Sequence, residues 1–193
     1  MQEKKKSVRT EEKPYEEWFY WLQTMVTAIV CIVLAFTLLG RLTRVVGHSM
    51  DPTLSDGQLL LVWSLGYQPK QGDIVIANKT AEPAATTLGG EAIVKRVIAT
   101  GGQTVELDYD NNTVYVDGVA LEEDYTLEKM RWLGDPDMQR TWFEVPEGEV
   151  FLMGDNRNGS TDSRHEDVGC VDSDYLLGKA VFSLFPLSSF GFL

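Results

Sequence analysis

"EAIVKRVIAT", residues 91–100, sets Ile93, Val94, Val97 and Ile98 around the charged pair Lys95–Arg96. A short run this rich in β-branched residues reads as a β-strand. "QLLLVW" (58–63) and "DIVIAN" (73–78) have the same texture, bounded by Gly or Pro. "TVELDYDNNTVYVDG" (104–118) reads as a hairpin turning at 110–112, and "GEVFLMGD" (148–155) gives another strand. Helix-length periodic stretches are scarce after residue 45, and 121–132 is the one stretch with a short helical reading. The expectation is a mainly β domain, not an alternating βαβα sheet. "KTAEPAATTLGGE" (79–91), polar and rich in Pro and Gly, reads as a loop. The tail "AVFSLFPLSSFGFL" (180–193) reads as a final strand with packed residues, with contact to a membrane face as the alternative.

Ahead of this domain stands "WLQTMVTAIVCIVLAFTLLG" (21–40), twenty residues without a charge. At about 1.5 Å per helical residue it reaches roughly 30 Å, the hydrocarbon thickness of a bilayer. Tyr15, Trp18, Phe19, Tyr20 and Trp21 precede or open it, as an interfacial aromatic belt would. It is longer than a signal-peptide core, and "GRLTR" follows instead of a small-x-small cleavage site, so it reads as a retained anchor. Lys4, Lys5, Lys6, Arg9 and Lys13 precede the span, against Arg41 and Arg44 after it. The positive-inside rule then expects a cytoplasmic segment 1–20, an anchor 21–40 and an extracytoplasmic domain 41–193 in the plasma membrane.

The formal charge of -12 argues against nucleic-acid binding, which needs clustered Lys and Arg. Cys31 and Cys170 show neither metal-ligand nor redox spacing, and no disulfide within the chain is expected. Several motifs fail on inspection. "GHSMD" has Asp51 where G-x-S-x-G needs its second Gly. "HEDVG" has Gly169 in place of the second His of a zinc-protease helix. "DYDNNT" lacks the bidentate Glu of a calcium loop, Val119 standing there. "LLGKA" has neither the upstream Gly nor the following Ser or Thr of a P-loop.

"VVGHSMDPTL" (45–54) places His48 directly beside Ser49. Consecutive side chains diverge on strands and helices alike, so His48 is poorly placed to activate its neighbour. His165 is distant in sequence, and spacing leaves it open as an acceptor. A lysine can also serve, where burial lowers its pKa from about 10.4 towards 7–8. Lys95, flanked by apolar residues, is such a candidate, although a solvated side chain is the ordinary state of a strand lysine. Pattern alone leaves both readings open.

Taken together, "GHSMDPTL", "GDIV" (72–75), "VKRVIA" (94–99) and "GDNRNGSTDSR" (154–164) after one anchor resemble bacterial type I signal peptidase. The length resembles the compact Gram-positive form. The resemblance implies a Ser49 nucleophile and a Lys95 general base, with no metal or cofactor. It implies Ser160 as the residue orienting the lysine, braced by an Asp162–Arg164 ion pair, with Asp155, Asn156 and Arg157 shaping that loop. Met50, Leu54 and Val94 fall where family members line pockets for small side chains, implying A-x-A-like sites in signal peptides of exported preproteins. The oxyanion would be held by the Ser49 N–H, while Gly47 stands where some members carry a second donor hydroxyl. "ATGGQ" (99–103) and Gln58 depart from the family pattern and put local turn geometry in question. Two rivals stay open: a self-cleaving repressor-type Ser-Lys protease, and a membrane-anchored binding or assembly factor on a peptidase scaffold.

Overall fold

The computed structural model describes residues 14–78, 92–132, 134 and 140–193. The basic residues 4–13 and the loop 79–91 lie outside the described residues. Two compact units are formed, Met1–Leu38 and Leu39–Leu193.

The described part of the first unit is helical, in α1 (Pro14–Leu39). Proline suits a first helical turn, where its missing N–H would have no partner anyway. Within it, Glu17–Leu34 is long and apolar enough to cross a membrane, and none of that segment is buried inside the protein. The helix starts before residue 21, so the aromatic cluster is helical too. Trp18 and Trp21 meet edge to face at 6.5 Å. Thr24 donates its hydroxyl to Tyr20 O at 2.8 Å, which satisfies a polar group on the helix itself.

The second unit is built from strands β1 (Gly40–Arg44), β2 (Leu59–Trp63), β3 (Ile74–Asn78), β4 (Ala92–Thr100), β5 (Thr104–Asp108) and β6 (Thr113–Val116). These continue with β7 (Val119–Ala120), β8 (Trp142–Glu144), β9 (Glu149–Met153), β10 (Val171–Asp172), β11 (Leu176–Phe185) and β12 (Gly191–Phe192). One sheet runs β1-β2-β11-β3-β4-β9-β10, with β12 also on β11; a second runs β7-β6-β5-β8. Each strand pair is antiparallel, as a mainly β chain with short connections allows. The expected hairpin is β5–β6, with Asn112 at φ 55° in its turn.

β4 lies inside the larger sheet, between β3 and β9, and the register sets Lys95 opposite Val75 and Val94 opposite Ile76. Both Val75 and Ile76 are fully buried, so the strand has no solvent edge along which a lysine could escape. Apolar residues gather in three clusters, one of which joins Met50, Leu54 and Val94 to Leu60, Val62, Ile74 and Ile76.

Residues 121–132 are not helical; they form turns and extended chain. Met130 enters the core, Glu123 and Leu127 bond to the 154–158 loop, and the Tyr125 ring lies against Arg96 of β4, so tertiary contacts override any local helical preference. The tail holds the end of β11 and all of β12, and the Phe182 ring meets Phe190 and Phe192 edge-on at 4.8 and 4.9 Å, but Phe185, Leu187, Phe190 and Phe192 remain exposed.

Candidate active site

Residues 45–58 leave β1, double back and enter β2. Main-chain bonds close the loop, from Val45 N–H to Gln58 O at 2.8 Å and from Gly57 N–H to Val45 O at 2.9 Å. The Gln58 side chain accepts from Ser55 N–H at 2.8 Å and donates to Ser183 Oγ of β11 at 2.8 Å. Gln103 likewise accepts from Thr100 N–H at 2.9 Å. The two glutamine departures from the family pattern thus supply their own turn bonds. Gly47 adopts φ +86°, a left-handed value available to glycine at little cost, and its N–H donates to Asp56 Oδ1 at 2.8 Å.

Ser49 is held through its main chain. Asn156 N–H donates to Ser49 O at 3.0 Å, and Asn156 Nδ2 donates to His48 O at 3.1 Å. Close approach demands glycine at 154: a Cβ there would stand 2.4 Å from both Ser49 O and Ser160 Oγ.

Lys95 arrives from β4 and is 4% exposed. Its Nζ donates to Ser49 Oγ at 2.7 Å. Burial pushes the lysine pKa below its ordinary value by penalising the ammonium; Asp162 opposes that shift, Arg164 reinforces it and Asp155 opposes it. A hydroxyl and an amine at this separation can exchange a proton when the amine is neutral, which activates the oxygen as a nucleophile.

Around this pair the electrostatics are fixed by buried ion pairs. Arg164 grips Asp162 with Nε to Oδ1 at 2.8 Å and Nη2 to Oδ2 at 2.9 Å, both side chains almost wholly out of water. Burial alone would raise the Asp162 carboxyl, but Arg164 and the Gly154 N–H hold it below the usual carboxylate range. That N–H reaches Oδ2 at 2.9 Å, tying the pair to the strand end beside Ser49. The Ser160 hydroxyl is buried at the same place, on the side of Asp162, whose carboxyl it helps hold low.

Met50 and Leu54 are core residues with 1% and 0% of their surface exposed, and Val94 is only 7% exposed. Met50 and Leu54 belong to the Ser49 loop itself and pack with Val94 of β4 in one apolar cluster. His48 points away from the nucleophile, its Nδ1 lying 3.0 Å from Asp51 Oδ2 in an exposed pair. His165 closes a turn through its main chain, accepting from Val168 and Gly169 N–H, while the bond to Ser49 Oγ comes from Lys95. Cys31 and Cys170 are both free.

Four residues near the site carried no expectation. Arg96 clamps Asp155 with Nε to Oδ1 at 2.8 Å and Nη2 to Oδ2 at 2.6 Å, and Thr53 donates to Asp155 Oδ2 at 2.5 Å. Glu123 and Tyr125 meet Arg157 and Arg96 from the 121–132 segment. For Arg96 the available signal was its place beside Lys95; for Glu123 and Tyr125 there was none.

A serine oxygen that accepts a hydrogen bond from a buried lysine amine is an arrangement that suits a serine hydrolase. The comparisons narrow this. Residues 18–185 match the family described as signal peptidase, peptidase S26. The chain is 36% identical over 182 residues to a probable signal peptidase I-1 of Synechocystis sp. (strain ATCC 27184 / PCC 6803 / Kazusa), covering 90% of this chain and 87% of that protein. It is 34% identical to a signal peptidase I of Bacillus licheniformis, covering 93% of this chain and 96% of that one. A crystal structure of a signal peptidase I from Enterococcus faecalis V583 covers 58% of this chain and 97% of its own, at 31% identity and a TM-score of 0.44. The chain belongs to the signal peptidase S26 family of serine endopeptidases, hydrolases that remove signal peptides.

Proposed function

We propose that the chain removes signal peptides from exported preproteins with a Ser49–Lys95 dyad. The observation that carries this is the 2.7 Å contact from a buried lysine to Ser49 Oγ. Neutral Lys95 takes the Ser49 proton as Oγ attacks the carbonyl carbon of the last signal-peptide residue. Ser49 N–H, which has no partner among the described residues, faces the developing oxyanion. Gly47 N–H is committed to Asp56 and supplies no second donor. The tetrahedral adduct expels the amine of the mature chain, protonated by the Lys95 ammonium, and leaves an ester on Ser49. Lys95 then deprotonates water, which hydrolyses the ester. Asp162 and Arg164 hold the surrounding charge fixed, and Ser160 sits within this buried shell. Preference for small residues at an A-x-A-like site is part of this reading through the family, with Met50, Leu54 and Val94 buried in one apolar cluster in this structure.

α1 is the single-pass anchor in this reading, with its N-terminus cytoplasmic and residues 41–193 extracytoplasmic in the plasma membrane. Anchoring enzyme and substrate in one bilayer raises their effective concentration. The test is cleavage of a labelled preprotein carrying an A-x-A site by the full-length protein in lipid vesicles. Cleavage at that site should vanish in Ser49→Ala and in Lys95→Met. Full activity in either variant would refute the dyad, and no cleavage by the intact protein would favour a binding factor.

A further inference from the structure

We propose that Glu123 and Arg157 form a positioning clamp that sets Ser49 against Lys95 by fixing Gly154, an inference that rests on the Ser49–Lys95 reading. Glu123 lies in the 121–132 segment, which belongs to no strand. Its carboxylate takes both terminal nitrogens of Arg157, Nη1 to Oε2 at 2.9 Å and Nη2 to Oε1 at 2.5 Å. The Tyr125 hydroxyl donates to the same Oε1 at 3.1 Å. The Arg157 side chain is 1% exposed and that of Glu123 11%, so the pair is held in place by the cost of stranding either charge.

What the clamp holds is the wall of the site. Arg157 Nε donates to Gly154 O at 3.1 Å, while Gly154 N–H is held by Asp162 at 2.9 Å. Both sides of Gly154 are therefore tied, and its Cα presses against Ser49 O and Ser160 Oγ with no room for a methyl. Arg157 O also accepts from Arg164 Nη2 at 2.6 Å, joining the clamp to the Asp162 pair. A second contact reinforces the same loop: the Tyr125 ring lies 3.9 Å from the Arg96 guanidinium that grips Asp155, and Leu127 N–H donates to Asp155 O at 3.3 Å. Without Glu123 the Arg157 guanidinium is drawn towards water and Gly154 O loses its donor. The charges that act on Lys95 are those of Asp162, Arg164 and Asp155, so the clamp works through geometry and not through the lysine's acidity.

The experiment measures kcat, KM, their pH profile and the melting temperature of the full-length protein in lipid micelles, with a preprotein substrate. Misplacing a reacting group by about 1 Å costs roughly 100-fold, so Glu123→Ala should lose about 10–100-fold in kcat. KM and the acid limb of the pH profile should stay in place. Because Glu123→Ala strands a buried cation, the paired variant Glu123→Leu with Arg157→Met separates the roles. It should melt near the wild-type temperature yet keep the low kcat, since Gly154 O still lacks its donor. Recovery of both melting temperature and kcat would reduce the pair to an ordinary fold-stabilising contact and overturn the proposal. Wild-type kcat in Glu123→Ala, or a displaced acid limb with an unchanged plateau, would overturn it as well. Failure of the dyad reading would show separately, as undiminished cleavage in Ser49→Ala.

Discussion

Gly154→Ala adds one methyl carbon where three atoms already stand. The new Cβ would lie 2.4 Å from Ser49 O, 2.4 Å from Ser160 Oγ and 2.6 Å from Ser160 Cβ. Comfortable contact between carbon atoms begins near 3.5 Å, so about 1 Å of separation has to be found. Ser49 O cannot yield freely, because Asn156 N–H holds it at 3.0 Å. Overpacking of this kind costs about 1–3 kcal/mol of stability. Displacing the nucleophile by about 1 Å should lower kcat roughly 100-fold, well beyond what the lost stability alone would do to a folded enzyme. The assay is preprotein cleavage under saturating substrate at a temperature where thermal melts show the variant folded. Gly191→Ala, where a Cβ would meet nothing within 4 Å, serves as the control and should be silent. A Gly154→Ala variant that melts lower but turns over at the wild-type rate would refute the link between this glycine and the nucleophile.

Asp162→Asn leaves the buried Arg164 cation without its partner and should cost about 3–5 kcal/mol in urea unfolding; an unchanged midpoint would contradict the buried pair. Lys95→Met should raise the melting temperature at neutral pH while abolishing cleavage. The sign follows from linkage: burial lowers the folded-state pKa of Lys95, so the unfolded chain binds the extra proton and stability rises with pH between the folded value and 10.5. The gain from Lys95→Met should therefore be largest at low pH and fade towards pH 10.5, and a gain that grows with pH would contradict it. His48→Ala should cleave preprotein at close to the wild-type rate, since the exposed ring bonds Asp51 and not Ser49. A loss as deep as that of Ser49→Ala would restore histidine to the chemistry.

Much of the fold could be read from residue texture. β3 and β4 are Val/Ile runs whose burial on both faces leaves little alternative to strand, and the uncharged run 21–40 marks most of α1. The ends were less legible: the aromatic cluster before residue 21 is helical, and Gly40 belongs to β1. The 121–132 segment misled because its order comes from partners far along the chain, Asp155, Arg157 and Asn158, which no local pattern reveals. At the site, the apolar flanks of Lys95 made burial one of two open readings and gave no target; the pairing with Ser49 came from resemblance, and the 2.7 Å contact supports it. Met50 and Leu54 were read as pocket walls from motif position, and the structure buries both.

If Lys95 accepts the Ser49 proton, the pH dependence of kcat/KM for preprotein cleavage reports its titration. The acid limb should have its midpoint below the ordinary lysine value of 10.5, because burial disfavours the ammonium. Asp162→Asn, assayed where it is folded, should move that midpoint to still lower pH, because the carboxylate that favours the charged lysine is gone. A midpoint that stays fixed in Asp162→Asn, or that moves upward, would contradict the assignment of Lys95 as the base.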